Sequence, residues 1–105
     1  MAGLTYQGHL VQTFVIAGVT TKNEEVADPG DGFKIILLSY TVTLDAAGEI
    51  LWEAGSTNMT GLMEIAADTP CVSNTPIVCT ASEALNLTST TAANGHGSYI
   101  VVVDP

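Results

Sequence analysis

Apolar and polar residues alternate along most of this chain with a period of two, which predicts β-strands. The clearest predicted strand covers residues 34–44. Its even-numbered residues would share one face: Ile36, Leu38, Tyr40, Val42 and Leu44. The first half of this strand is apolar on both faces and the second half on one face only, so we expect one end to be buried more deeply. No sustained spacing of three and four residues predicts a helix.

Further strand candidates lie between clusters of turn residues. They cover residues 9–17, 49–54, 60–66, 76–80, 85–91 and 98–103. Residues 92–95, Ala-Ala-Asn-Gly, are predicted to form the turn between the last two strands. A count of about seven to eight short strands is typical of a sandwich. We therefore predict an all-β fold, an antiparallel β-sandwich or jelly roll with an N-terminal arm or extra strand.

The first third of the chain differs from the rest in composition. Residues 20–32 are acidic and include Asp28-Pro29-Gly30-Asp31-Gly32, which predicts a loop or flexible hinge. Residues 1–16 would then be an arm or an added strand. The predicted organisation is an arm or strand with its acidic hinge over residues 1–32, followed by a β-sandwich domain over residues 33–105. The start of the chain lacks the pattern of a signal peptide, so we expect synthesis and folding in a cytoplasm.

Charged residues are scarce and mostly acidic. They make up 12% of the chain, and 11 acidic residues against 2 basic ones give a net charge of -9. Nucleic acids and anionic membrane surfaces are bound through Lys and Arg, so we exclude both as direct partners. No apolar run reaches the ~20 residues of a membrane span. So little charge predicts a surface covered by Thr, Ser, Asn and Gly, or by another protein chain.

The sequence shows no catalytic or metal-binding pattern. His96 lies two residues before Ser98, but no orienting acid or oxyanion hole accompanies them, and a turn histidine is the simpler interpretation. The hinge carries four acidic residues, Glu24, Glu25, Asp28 and Asp31. Their spacing is not that of an EF-hand calcium loop. We therefore predict no enzymatic activity, no metal and no cofactor.

The roles of three side chains have more than one interpretation. Cys71 and Cys79 flank a turn-like stretch and could face each other across a hairpin. Two cysteines do not form a disulfide framework, so free thiols are the preferred interpretation and a disulfide is the alternative. Trp52 is predicted to fill the core, and an exposed platform for stacking against sugar rings is the alternative.

From Lys34 onward the order of short motifs resembles a family of small β-sandwich proteins encoded among the structural genes of tailed bacteriophages. The matching pieces are Ser39-Tyr40, Ala46-Ala47-Gly48, Trp52, Gly55-Ser56-Thr57, Gly61-Leu62-Met63, Glu83-Ala84-Leu85-Asn86-Leu87-Thr88 and Gly95-His96-Gly97-Ser98-Tyr99. The resemblance omits the first 33 residues. It breaks down over residues 67–80, where the family pattern tends to carry glycine and aromatic residues and this chain has Cys71, Pro76 and Cys79.

The resemblance implies a compact, trimeric jelly-roll module displayed on a virion and made in the host cytoplasm. We predict a capsid decoration, or cement, protein: a homotrimer that binds the major capsid protein on the outer surface of the shell and stabilises it. The trimer interface would be formed by Ile35, Leu37, Tyr99, Val101 and Val103. The arm would contact the capsid through Leu4, Tyr6, Leu10, Phe14 and Ile16.

A receptor- or carbohydrate-binding knob of a phage fibre or tail is the alternative function. Its site would lie on loops at one end of the sandwich, at residues 46–48, 55–58 and 92–95. Aromatic residues are only 6% of the chain, which argues mildly against sugar binding.

Overall fold

A computed structural model describes residues 4–104, and over this range the chain forms β-strands joined by turns. The strands are β1 (Thr5–Tyr6), β2 (His9–Leu10), β3 (Gln12–Val26), β4 (Phe33–Leu44), β5 (Gly48–Ala54), β6 (Thr57–Asn58), β7 (Met63–Ile65), β8 (Cys71–Ser73), β9 (Ile77–Val78) and β10 (Leu85–Val103). Their number exceeds the predicted one because several are edge segments of two or three residues. Nowhere in residues 4–104 is there a helix that could cross a membrane.

Strands β3 to β10 form one continuous antiparallel sheet of eight strands that folds over on itself, and its two halves are called the first and the second sheet. Two long strands, β3 and β10, contribute to both halves. In the first sheet, residues 85–89 of β10 lie between β5 and the end of β3, and β6 and β7 pair with the other edge of β5. In the second sheet, residues 93–103 of β10 lie between the start of β3 and β4, and β8 and β9 pair with the far edge of β4. The predicted antiparallel β-sandwich is confirmed.

The core lies between the two sheets and is centred on Trp52. The indole of Trp52 on β5 is fully buried, 6.0 Å from the ring of Phe14 on β3 and 5.1 Å from the ring of Tyr40 on β4. These contacts join the first sheet to the second, so the inner faces pack on each other. Trp52 therefore fills the core, and it offers no surface to a sugar.

The long strands pass from one sheet to the other by bending. The register of β10 against β3 shifts between Ser89 and Ala93, and Gly18 and Thr21 on β3 have φ of 64° and 56°. Bulges of this kind bend a strand without ending it. Two predictions are corrected as a result. Residues 92–95 continue β10 and do not form a turn, and residues 20–26 belong to β3, which leaves only residues 27–32 as a loop.

Strand β4 changes its buried face at Leu38. Ser39 pairs with Ser98 and Leu37 pairs with Tyr99, so Leu38 is an extra residue with no opposite partner. The buried residues of β4 are Ile35, Leu37, Tyr40, Val42 and Leu44. Because one inserted residue reverses the alternation, the predicted even-numbered face is correct only after the bulge.

Candidate functional site

The two sheets differ in charge. The strands of the second sheet carry no Asp or Glu over residues 12–19, 33–44, 71–73, 77–78 and 93–103, and Lys34 is their one basic residue. The strands of the first sheet carry Lys22, Glu24, Glu25, Glu49, Glu53 and Glu64. The described part of the molecule therefore has one acidic sheet and one sheet without carboxylates.

The outer surface of the second sheet, here called the carboxylate-free face, is formed by Thr13, Val15, Ala17, Ser39, Thr41, Thr43, Val72, Asn94, His96 and Ser98. Its central row crosses four strands, because Val15 pairs with His96, His96 with Thr41, and Thr41 with Val72. Val15 is 76% exposed and Val72 59% exposed. Successive side chains of a strand point to opposite faces of a sheet. Because Phe14 points into the core, the next residue, Val15, and the rest of its row point outward.

Hydrogen bonds across the strands fix this face. The hydroxyl groups of Ser39 and Ser98 lie 2.6 Å apart. At the bend of β3, the backbone N–H of Gly18 donates to Oδ1 of Asn94 over 2.8 Å, and Nδ2 of Asn94 donates to Oδ1 of Asp45 over 3.2 Å. The polar groups of the face are thus partly paired with one another and, at Asn94, with the carboxylate of Asp45 in the loop after β4. The face itself carries methyl, hydroxyl, amide and imidazole groups.

The outer surface of the first sheet, here called the acidic face, is formed by Lys22, Glu24, Glu49, Glu53 and Glu64. Glu53 is partnered, because its carboxylate lies 3.7 Å from Nζ of Lys22 and accepts a hydrogen bond from the hydroxyl of Thr88. Glu49 and Glu64 oppose each other across β5 and β7, in an arrangement that is unfavourable for two negative charges.

A shallow groove of about 460 Å³ lies between β5 and β7. It is lined by Ala47, Gly48, Glu49, Glu64, Ile65 and Ala66. Among the residues that the structure describes, no three His, Cys, Asp or Glu come together in a way that could hold a metal ion.

Burial raises the pKa of two groups, the hydroxyl of Tyr40 and the carboxyl group of Glu25. The pKa of the Tyr40 hydroxyl is raised by desolvation and, less strongly, by the neighbouring Cys71. Burial also raises the pKa of Glu25, and the hydrogen bond donated by the Asn23 amide partly offsets this effect. The buried indole N–H of Trp52 has no hydrogen-bond partner among the described residues. None of these groups faces the groove or the carboxylate-free face in a way that suggests acid–base chemistry.

The two cysteines lie beside different positions along β4. This separation is too large for a disulfide between them, which corrects that alternative. Cys71 pairs with Val42, whereas the backbone N–H of Cys79 donates to the carbonyl of Ile35. Seven residues of strand correspond to roughly 23 Å at ~3.3 Å per residue. A disulfide needs Cα atoms within about 7 Å. Both thiols are free, and burial raises the pKa of the Cys79 thiol to about 11.

The residues predicted for a trimer interface differ in how far they are exposed to solvent. Ile35 and Leu37 are buried inside the chain and have no surface to offer another chain, which corrects that assignment. Tyr99 and Val101 are half-buried against the same core, and only Val103 is largely exposed, at 64%. The physical reason is the bulge in β4, because it turns the odd-numbered residues before Leu38 inward.

The residues predicted for a capsid-binding arm also divide into two groups. Phe14 and Ile16 are core residues of β3, so they are not part of an arm. Leu4, Tyr6 and Leu10 lie on the small hairpin of β1 and β2 and are exposed by 76%, 36% and 57%. Residues 1–3 of the predicted arm lie outside the described residues.

The loops predicted for a receptor- or carbohydrate-binding site are not all loops. Residues 46–48 and 55–58 lie at turns and at short strand ends, but residues 92–95 lie within β10. Sequence reasoning missed the carboxylate-free face as a unit. The absence of carboxylates from the five segments could be seen in the sequence, but strand pairing was needed to bring those segments side by side.

Known proteins show a structural likeness to this chain and no match in sequence. No family profile matches the chain, and no curated protein matches it. Among solved structures, the chain is similar to a protein described as "EclA C-terminal domain; sugar-binding protein", with a TM-score of 0.46 and 13% sequence identity over 96% of this chain and 83% of that chain. A likeness at this level supports no functional argument.

Proposed function

We propose that this chain is a structural protein of a virus particle, a capsid decoration protein that binds the major capsid protein through its carboxylate-free face and stabilises the shell. The observation that carries this proposal is the division of charge between the two sheets. A chain with a net charge of -9 meets another protein most easily where it has no carboxylates. The acidic face, directed to solvent, would keep the decorated particle soluble.

The chemistry of the carboxylate-free face suits binding to a protein surface. Val15 and Val72 place exposed methyl groups at its two edges, and Thr41 and His96 lie between them. A row without carboxylates, Lys or Arg is buried without the desolvation cost of those charged side chains. The resemblance of the motifs from Lys34 onward to phage structural proteins supports a virion as the setting.

The homotrimer implied by that resemblance remains a prediction. Binding to the shell requires the carboxylate-free face of each chain, whatever the number of chains in the unit. Many copies on one particle would stabilise it by multivalency, because each additional contact acts at a high effective concentration.

Binding of purified protein to particles that lack it tests this proposal. Val72→Glu places a carboxylate on the carboxylate-free face, and we expect it to weaken shell binding by roughly ten-fold or more. Leu62→Glu is the matched control, because Leu62 has the same 59% exposure and lies outside this face. Co-sedimentation with shells measures binding, and the temperature at which particles release their nucleic acid measures stabilisation.

Three results would count against decoration. The first is that bare and decorated particles withstand heat equally, and the second is that Val72→Glu binds shells as well as the unmodified chain does. The third is binding on a glycan array with no binding to shells, which would favour the receptor- or carbohydrate-binding knob instead.

A further inference from the structure

One edge of the second sheet is open along the start of β3. Residues 12–17 pair with β10 on one side, Gly18 is the extra residue of a bulge, and among the described residues no other strand pairs with residues 12–18. The chain just before them is hydrogen-bonded to the residue before β1, because the N–H of Val11 donates to the carbonyl of Leu4. The chain after them bends at Gly18 towards the first sheet. Residues 12–18 are called the free edge below.

The free edge lacks most of the features that keep sheet edges from pairing, and its one bulge lies at its end, at Gly18. Natural edge strands are short, or carry charged residues or proline. The opposite edge of the same sheet consists of β8 and β9, with three and two residues, and Pro76 lies between them. The part of β3 in the first sheet carries Lys22 and Glu24. The free edge has neither charge nor proline, and Val15 at its centre is 76% exposed.

We propose that the free edge is the contact between two copies of this chain, which pair their β3 strands antiparallel about a two-fold axis. A second copy fits because the free edge carries no carboxylate, whereas contact through the acidic face would bring Glu24, Glu49 and Glu64 of two chains together. A contact of one surface with itself about a two-fold axis also closes at the dimer.

The two-fold axis sets the register of this contact. Opposed residues must share a face, so one residue has to lie opposite itself. We place the axis at the exposed Val15, which lies opposite Val15 of the partner subunit when residues 13–17 of the two chains pair. Thr13 then lies opposite Ala17 of the partner subunit. The two carboxylate-free faces become one continuous surface, which is larger than the face of one chain.

The contact is small, since the free edge spans about 23 Å at ~3.3 Å per residue. We therefore expect weak association in solution, with a dissociation constant in the micromolar to millimolar range. On a particle, neighbouring copies bound to the shell would pair at a much higher effective concentration. The inference concerns pairing between copies, and it does not depend on which protein the carboxylate-free face binds.

Sedimentation velocity over micromolar to millimolar protein tests the pairing. We expect the unmodified chain to reach the mass of a dimer. Val15→Asp and Val15→Lys should each weaken pairing by roughly ten-fold or more, because like charges then face each other across the axis. Val72→Asp is the matched control, because Val72 is an exposed valine on the same face at the opposite edge, and it should pair normally.

Mixing the two Val15 variants distinguishes this register from other dimers. An equimolar mixture of Val15→Asp and Val15→Lys should restore the dimer that neither variant forms alone. It should do so only if Val15 lies opposite Val15 of the partner subunit. A mixture that remains monomeric overturns the proposed register. A trimer would favour the homotrimer predicted from the motif resemblance and would overturn the pairing itself, as would a monomer at millimolar concentration or dissociation by Val72→Asp.

Hydrogen exchange gives a readout that needs no substitution. The amides of residues 12–17 that face the open edge should exchange more slowly in the unmodified chain as protein concentration rises, and exchange independent of concentration overturns the proposal. Failure of pairing is distinguishable from failure of shell binding. A paired chain that does not bind shells contradicts only the proposed function, and an unpaired chain that binds them contradicts only this inference.

Discussion

Gly95 and Gly97 of β10 allow the central strands of the second sheet to approach each other closely. A Cβ atom at Gly95 would collide with the backbone carbonyl of Thr41, and the φ of Gly95 is 153°. A Cβ atom at Gly97 would collide most severely with the ring of Phe14 and would also come within 2.9 Å of the backbone carbonyl of Ser39. The main obstacle at Gly97 is therefore a ring, which a smaller side chain can replace, whereas the main obstacle at Gly95 is a backbone carbonyl, which cannot be replaced.

Gly97→Ala should therefore destabilise the protein by about 1–3 kcal/mol, as overpacking commonly does. The cost should shrink in a Phe14→Leu background, which provides space for the added methyl group. Gly95→Ala should cost more than Gly97→Ala, and its cost should not change in the same background. Urea unfolding of the four combinations at each site measures these couplings. Equal costs of Gly97→Ala in both backgrounds would contradict the assigned contact.

The two thiols should react at different rates in the folded protein. Cys79 is 3% exposed and its pKa is raised to about 11, so it holds its proton at mildly alkaline pH, where alkylation requires a thiolate. Cys71 is more accessible. We expect mass spectrometry to show one modified cysteine after brief alkylation of the native chain and two after unfolding. An intramolecular disulfide in the folded, oxidised protein would contradict the separation of the thiols along β4.

At the level of the strand, the bulge at Leu38 keeps both halves of β4 facing the core. Deleting Leu38 should leave Ile35 and Leu37 in phase with Tyr40 and Val42, because the inserted residue is the one removed. We expect a folded protein that has lost about 1–3 kcal/mol of stability, since Leu38 is half-buried.

Deletion of Thr41 is the control for this experiment. It adds a second change of phase and turns Val42 and Leu44 away from the core, so cooperative thermal unfolding should be lost. Circular dichroism and calorimetry compare the two deletions. If both unfold cooperatively with similar midpoints, the bulge does not set the alternation of β4.

Part of this fold follows from the sequence, and part depends on contacts that the sequence does not display. The strand at residues 49–54 follows from its alternation and nearly matches β5. The bulge in β4 is hidden because Ile36, Leu37 and Leu38 are all apolar, so the reversal of phase leaves no visible change of pattern. Asn94-Gly95 is a common turn pair, but here it lies inside β10, where pairing on both sides keeps the strand continuous.

For the whole molecule, the decisive property is the separation of charge. All 11 carboxylates lie on the first sheet, in the loops or near the end of the chain, so the chain repels itself there and can approach another protein at the second sheet. The amount of charge could be predicted from the sequence, but this arrangement could not, because the segments without carboxylates become one surface only when strands far apart in the chain pair.

Self-repulsion should also make stability depend on salt, and the pair of Glu49 and Glu64 allows this to be measured. Because the two carboxylates oppose each other across β5 and β7, either Glu49→Gln or Glu64→Gln should raise the free energy of unfolding by about 0.2–1 kcal/mol at low salt. The second substitution should add little, since the first already removes the repulsion. Asp31→Asn, which changes the net charge equally in an exposed loop, should have a smaller effect. The gain should disappear near 1 M salt, where the screening length is about 3 Å. Equal gains from Glu49→Gln and Asp31→Asn would mean that total charge, and not this pair, governs stability.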